Sequence, residues 1–239
     1  IRKLMYSVGN KLLLYSHRAR DLAIKYGFDP DDVIVVYNSL SGVIDAPPTR
    51  SIKQLKDVDV LKVGFIGRLT EQAGLKLLIE ALALMQQDGL SVQLRIVGDG
   101  PMRNPIQDLA LASNVSVVFE GAIYNPEELE PFFNEVWAMV SPGKVGLAAM
   151  HALMFGCPVV SHSSMDHQMP EVEAIQEMVN GALFDFNDAS SLRDAILRVI
   201  EYQRDGTITP ETCLGIINEK YNAINQAEII GGCIGAIDN

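Results

Sequence analysis

The chain has 239 residues, of which 48% are hydrophobic and 21% charged, and its formal net charge is −11. This length allows one large or two small domains, and the composition is that of a globular α/β protein and excludes a disordered chain. The acidity argues against nucleic acid as a partner, because phosphate binding wants a basic face; a helix N-terminus could still build a local anion site from backbone N–H groups.

No apolar run reaches the roughly eighteen residues of a membrane span, and no signal peptide is visible. Ile1 rather than Met stands first, which points to a chain cropped from a longer one. Cys157, Cys213 and Cys233 show no CxxC spacing. They suggest neither a disulfide framework nor a zinc site, and they fit a reducing cytoplasm.

Strands and helices alternate from the start. "KLLLYS" (11–16) reads as a buried strand, and Ser16 can cap the helix "HRARDLAIKYGF" that follows. "DVIVVYNS" (32–39) is a second strand. "GVIDAPPTRSIKQLKD" (42–57) has two prolines, mixed charge and no sustained period, so it reads as a linker. A longer series follows: strands at 61–67, 92–98, 115–121, 136–141 and 158–162, with helices at 74–87, 101–113, 125–133 and 145–155 between them. Trp137, in "VWAMV", reads as core. Two late helices are expected at 188–204 and 209–230, capped by Asp188 and Thr209, the second with Pro210 in its first turn.

Continuous Val, Ile and Leu runs mark strands buried on both faces, hence a parallel sheet with helices on each side. The fold class expected is therefore α/β, a doubly wound Rossmann-like sheet over 61–205, with its ligand at the carboxyl ends of the strands. Residues 1–44 carry too few elements for a core of their own and look like the tail of a preceding domain. Residues 45–60 are the linker, and 206–239 a C-terminal helix and tail.

The strand ends hold the candidate chemistry. In "GRLTEQAG" (67–74), Arg68 either holds phosphate oxygens in a fork or is a surface arginine on a loop. "VGDGPMR" (97–103) is a partial GxGxxG after a strand, but Pro101 and Arg103 stand against a pyrophosphate there. A tight structural turn is preferred to a nicotinamide site. "SPGKVGL" (141–147) runs into an apolar helix, and its small residues would let a diphosphate approach N–H groups at the positive helix end. His151, one turn further on, either faces the ligand or is a core histidine. "SHSSMDHQMPEVEAI" (161–175) carries His162, Asp166, His167, Glu171 and Glu173. It matches no firm metal pattern and reads as a loop lining a cleft.

Four stretches together resemble the C-terminal, donor-binding half of retaining GT-B glycosyltransferases: "GFIGRLTEQAGLKLLIEAL", "LRIVGDGP", "VSPGKVGLAAMHALMFGCPVVSH" and "MPEVEAI...NGALF". "KLLLYSHRARDLAIKYGF...VIVVYNSL" resembles the end of the acceptor-binding half. The resemblance implies transfer from a nucleotide-diphosphate sugar to a glycan or lipid-linked acceptor, without a metal or cofactor. It assigns Arg68 as catalytic and places the donor against Gly67, Arg68, Ala122, Ile123, Gly143, Lys144, Val145, Gly146, Leu147 and His151, with His167 and Glu171 lining the cleft. It also implies a cytoplasmic location, at the inner membrane face where the absent N-terminal domain provides peripheral attachment. Three positions depart from the family: Gly143 and His151 stand where two glutamates are usual, and Ala73 where a phosphate-binding lysine is usual. Lys144 is expected to restore part of that charge, since "SPGKVGL" resembles a variant of the loop in bacterial surface-polysaccharide enzymes. The alternatives are a degenerate nucleotide- or partner-binding domain and, less favoured, an NAD-dependent enzyme.

Overall fold

A computed structural model describes residues 9–40, 49–56 and 59–235. Of the expected segments, 1–8 and 41–44 of the tail, 45–48 and 57–58 of the linker, and 236–239 lie outside the described residues.

The N-terminal segment is one strand–helix–strand unit. Strands β1 (Leu12–Leu14) and β2 (Val33–Val35) pair in parallel, joined by helix α1 (His17–Lys25). Ser16 caps α1 as its residue type predicts, its hydroxyl accepting from the Ala19 N–H at 3.2 Å. A short helix, α2 (Ile52–Lys56), precedes the large sheet. Just before it, Arg50 is only 5% exposed; its guanidinium bonds the carbonyls of Phe133 and Trp137 and the Gln203 amide oxygen, so residues 49–56 are anchored on the domain that follows.

The large sheet has six parallel strands in the order β5-β4-β3-β6-β7-β8. They are β3 (Leu61–Ile66), β4 (Val92–Val97), β5 (Ser116–Gly121), β6 (Met139–Ser141), β7 (Val159–His162) and β8 (Gly181–Phe184). The central strands are buried on both faces, whereas edge strand β5 alternates exposed and half-buried positions. Helices α3 (Leu75–Gln87), α4 (Arg103–Ala112) and α7 (Ala189–Asp205) share one hydrophobic cluster with the sheet. Helices α5 (Glu130–Glu135), α6 (Leu147–Met154) and α8 (Pro210–Glu219) share another. Trp137 is buried in the first cluster, as expected of core. The strand order reverses direction between β3 and β6, which opens the crevice at the carboxyl ends of those two strands.

Several elements differ from expectation. Strand β1, expected buried, leaves Leu13 40% exposed; the expected linker carries α2; and the helix expected at 125–133 is a 3-10 turn over Pro126–Leu129 followed by α5. Strand β8, within the stretch "NGALF", has only four residues, too few to announce a strand by period. The expected helix 209–230 is two helices, α8 and α9 (Ala223–Gly235). Asn222 explains the break: its amide donates to the Ile217 and Asn218 carbonyls at 3.1 and 2.8 Å, while its oxygen accepts from the Asn225 N–H. One side chain thus closes α8 and caps α9. Helix α9 returns to the first segment, where Gln226 accepts from Ser39 Oγ at 2.8 Å and donates to the Tyr37 carbonyl.

Candidate functional site

Two adjoining pockets open at the crevice, and both are walled by Ile66, Gly67 and Arg68 after β3. The smaller, about 190 Å³, is completed by Phe65, Thr70, Gln72, Ala73, Ser141 and Lys144. The larger, about 400 Å³, adds Val97, Gly98, Asp99, Ala122, Ile123 and Tyr124. Backbone approach builds this floor. A Cβ on Gly98 would collide with the Gly67 carbonyl oxygen, and one on Gly100 would stand 2.5 Å from that of Leu69. The glycines of "VGDGPMR" therefore serve the close packing of this loop on the one after β3, a contact that the expectation of a tight local turn did not include.

The electrostatics of the small pocket are simple. Arg68 and Lys144 are both exposed, neither is in an ion pair among the described residues, and no carboxylate lines the pocket. Two uncompensated cations on loops from β3 and β6 face a space that also offers Thr70, Gln72 and Ser141. Such a space favours an anion carrying more than one charge. In the larger pocket the single carboxylate is Asp99, whose Oδ1 accepts from the Gly100 N–H at 2.8 Å. Neighbouring Glu120 is not free: Arg95 holds it at 2.7 Å.

The turn before α6 departs from its expected role in two places. Val145 is fully buried and its N–H is already taken, at 2.9 Å, by Gln168 Oε1; it is no free donor to a ligand. Gly143 meets the neighbouring loop: a Cβ there would collide with the Gln72 carbonyl oxygen and stand 3.1 Å from the Ala73 carbonyl carbon. A glutamate has no room at position 143 unless that loop moves. Gly146 is the N-cap of α6 and no side chain caps the helix, which leaves its first turn open. Leu147 is exposed at that first turn. Gly143, Val145, Gly146, Leu147 and His151 are not among the residues walling either pocket.

His151 is half-buried, and its Nδ1 is enclosed with no hydrogen-bond partner among the described residues. Burial lowers its pKa, which keeps the ring neutral. His162, at the end of β7, is fully buried with neither ring nitrogen hydrogen-bonded among the described residues, 4.6 Å from the Phe186 ring. Burial, and then the nearby His167, lower its pKa.

The loop after β7 faces the N-terminal segment. Glu173 accepts from the His17 and Arg18 N–H groups at 2.8 and 2.9 Å, capping α1 from outside, and Arg18 pairs with Asp166. Glu171 is 3% exposed and accepts from Asn38 Nδ2 at 2.7 Å. A third pocket, about 280 Å³, lies between α1 and this loop; its walls include Arg18, Met165, Asp166, Met169 and Glu173 but neither His167 nor Glu171. His167 stacks on Phe186 and bonds Ser164 Oγ. Among the described residues no group of three or more His, Cys, Asp or Glu is placed to hold a metal, all three cysteines are free, and no helix is long and apolar enough to cross a membrane.

The residues that the sequence left unremarked are Gln168, Thr70, Asp99 and Tyr124. Asp99 sits inside "VGDGP", where the glycines drew attention instead. Gln168 was hidden among more reactive neighbours in a polar loop.

A six-stranded parallel sheet with helices on both faces and a crevice at the β3/β6 reversal defines a doubly wound, Rossmann-like α/β domain. Residues 61–202 match the sequence model described as Glycosyl transferases group 1. That is more than half of the chain, and the chain belongs to this glycosyltransferase family. WcaL of Salmonella typhimurium, whose name assigns it provisionally to colanic acid biosynthesis as a glycosyltransferase, is 27% identical over 165 residues, 65% of this chain and 39% of that protein. The chain thus spans well under half the length of that curated relative. Among solved structures, the apo lipopolysaccharide outer core galactosyltransferase WaaB superposes with a TM-score of 0.76 at 21% identity, covering 96% of this chain and 63% of that one. HepE of Anabaena in complex with UDP gives 0.73 at 18% identity, covering 95% and 64%. At such identities the superpositions speak to fold.

Proposed function

We propose that this chain is the donor-binding part of a retaining, hexosyltransferase-like enzyme that moves a sugar from a nucleotide-diphosphate sugar to a glycan or lipid-linked acceptor in bacterial surface-polysaccharide synthesis. The observation that carries the reading is the small pocket in which Arg68 and Lys144 stand, with no counter-charge among the described residues, beside the larger pocket. The diphosphate lies between these cations, with the nucleoside over Gly98 and Ala122–Tyr124. Arg68 is the catalytic group: it touches the diphosphate, whose charge grows as the sugar leaves, and no metal is required. Lys144 supplies the charge that Ala73 does not. The family resemblance also brings His151, Gly146 and Leu147 to the donor, although they wall neither pocket. The names of WcaL, WaaB and HepE, the last with UDP bound, support the substrate class.

In this reading, residues 1–44 are the tail of the acceptor-binding domain, 45–60 the linker, 61–205 the donor domain and 206–239 its returning C-terminal part. Catalysis needs the rest of the acceptor domain, and the enzyme works in the cytoplasm at the inner membrane face. A second reading, a degenerate domain that binds without turnover, is favoured by Gly143, where the Gln72 carbonyl fills the space of a side chain, and by Ala73. Calorimetric titration with UDP, GDP, ADP and NAD tests the proposal. Binding of a nucleoside diphosphate supports it, and binding of NAD alone overturns it. Sugar transfer by a chain carrying the upstream domain separates the two readings.

A further inference from the structure

The turn from Ser141 to Gly146 carries Lys144, and inside it Pro142 fixes one φ and Ser141 Oγ donates to the Lys144 carbonyl at 3.4 Å. A further anchor comes from outside. Gln168 lies in the loop after β7, and its side-chain amide makes three hydrogen bonds. Oε1 accepts from the Val145 N–H at 2.9 Å; Nε2 donates to Ser161 Oγ at 2.8 Å and to the His162 carbonyl at 3.0 Å. Ser161, fully buried, donates its hydroxyl hydrogen to the Ser141 carbonyl at 2.9 Å.

The polarity of this array admits one side-chain chemistry. The Ser161 hydroxyl has a single hydrogen, already committed to Ser141, so toward Gln168 its oxygen can only accept. The His162 carbonyl also only accepts, and the Val145 N–H only donates. The position therefore requires one acceptor and two donors in a plane, which a primary amide offers and a carboxylate does not. Both ends of the turn, Ser141 and Val145, are thereby tied to the end of β7 through one network.

We propose that Gln168 is a positioning residue for donor binding: it holds the Ser141–Gly146 turn against the end of β7 and so aims Lys144 into the small pocket. The inference rests on the reading of that pocket as the diphosphate site. Gln168 does not wall the small pocket; it acts through the turn. Because the same loop grips α1 through Glu173 and Asp166, Gln168 also joins the donor turn to the segment packed on its other side.

The test is a double-mutant cycle on the full chain, with UDP, GDP and ADP as probes and melting temperature measured on the same samples. Gln168→Leu removes all three bonds, and its affinity for the tightest-binding diphosphate falls about tenfold, the order expected for lost polar contacts in a partly buried site. In that background Lys144→Ala costs less than half, on a logarithmic scale, of what it costs in the unsubstituted chain, since the lysine is no longer aimed. Gln168→Glu keeps the acceptor but sets its oxygens against two acceptors, and weakens binding at least as much. Ser161→Ala leaves Gln168 bonded to Val145 and has the smaller effect. It also keeps the test decisive if Gln168→Leu fails to fold. A merely structural glutamine would lower the melting temperature, leave affinity per folded molecule unchanged and preserve the full cost of Lys144→Ala; that result overturns the proposal. No diphosphate binding by the unsubstituted chain overturns the donor-site reading itself, a distinguishable failure.

Discussion

Gly143→Ala tests how the small pocket is built. The backbone of Gly143 is not in the left-handed region, so alanine adds no torsional strain; the whole penalty comes from the neighbouring loop. The new Cβ would collide with the Gln72 carbonyl oxygen, with the carbonyl carbons of Gln72 and Ala73 both at 3.1 Å. Backbone cannot swing aside like a side chain, so the two loops must separate. Overpacking of this kind costs about 1–3 kcal/mol. Replacing glycine also removes freedom from the unfolded chain, which returns about 0.4–1 kcal/mol. The net loss is up to about 2.6 kcal/mol, or a fall in Tm of up to about 10 °C for a chain of this size. The separating loops carry Arg68 and Lys144, so diphosphate affinity falls in the same sample. Scanning calorimetry of Gly143→Ala beside Gly215→Ala makes the sign diagnostic. Gly215 lies inside α8 with nothing within 4 Å of an added Cβ, and alanine there raises Tm. If Gly143→Ala matched the unsubstituted chain in both Tm and affinity, the close approach of the two loops would have no part in the site.

Arg68→Ala, in a chain carrying the upstream domain, lowers kcat more than it raises the donor KM, because charge grows on the diphosphate as the sugar leaves; the loss is about one to two orders of magnitude in rate. Equal effects on both constants would remove Arg68 from the transition state. His151→Ala weakens donor binding with little change in Tm if the ring faces the donor, and lowers Tm at constant affinity if it is only packing; both are read from one sample. The third expectation concerns pH. His151 and His162 have lowered pKa values in the folded chain through burial, so below about pH 6.5 the unfolded chain binds more protons. Their stabilising contribution is complete above that pH and is lost as pH falls toward the folded values, at up to about 1.4 kcal/mol per pH unit for each ring. His162→Phe, in a site already walled by Phe184 and Phe186, flattens Tm between pH 7 and 5; an unchanged slope would show that His162 does not titrate on unfolding.

The sheet was legible because its central strands are runs of Val, Ile and Leu buried on both faces, and its caps because Ser16, Asp188 and Thr209 have little other reason to precede helices. Asn222 was not, since an asparagine inside a helical period looks like any polar surface residue until its amide is seen to close one helix and open the next. At the site, the strand-end positions of Arg68 and Lys144 could be read from chain order. What each glycine serves could not: Gly143 belongs to a contact between loops about seventy residues apart, which no local pattern encodes. Val145 looked like a free N–H for the same reason, because its partner Gln168 lies beyond the next helix and strand.

The central claim is where the diphosphate lies, and a crystal structure of the chain with the nucleoside diphosphate that binds most tightly addresses it without an activity assay. The account predicts both phosphates between Arg68 and Lys144, with the base over Gly98 and Ala122–Tyr124. Phosphates seated instead in the pocket between α1 and residues 165–173, or making no contact with Arg68, would contradict it.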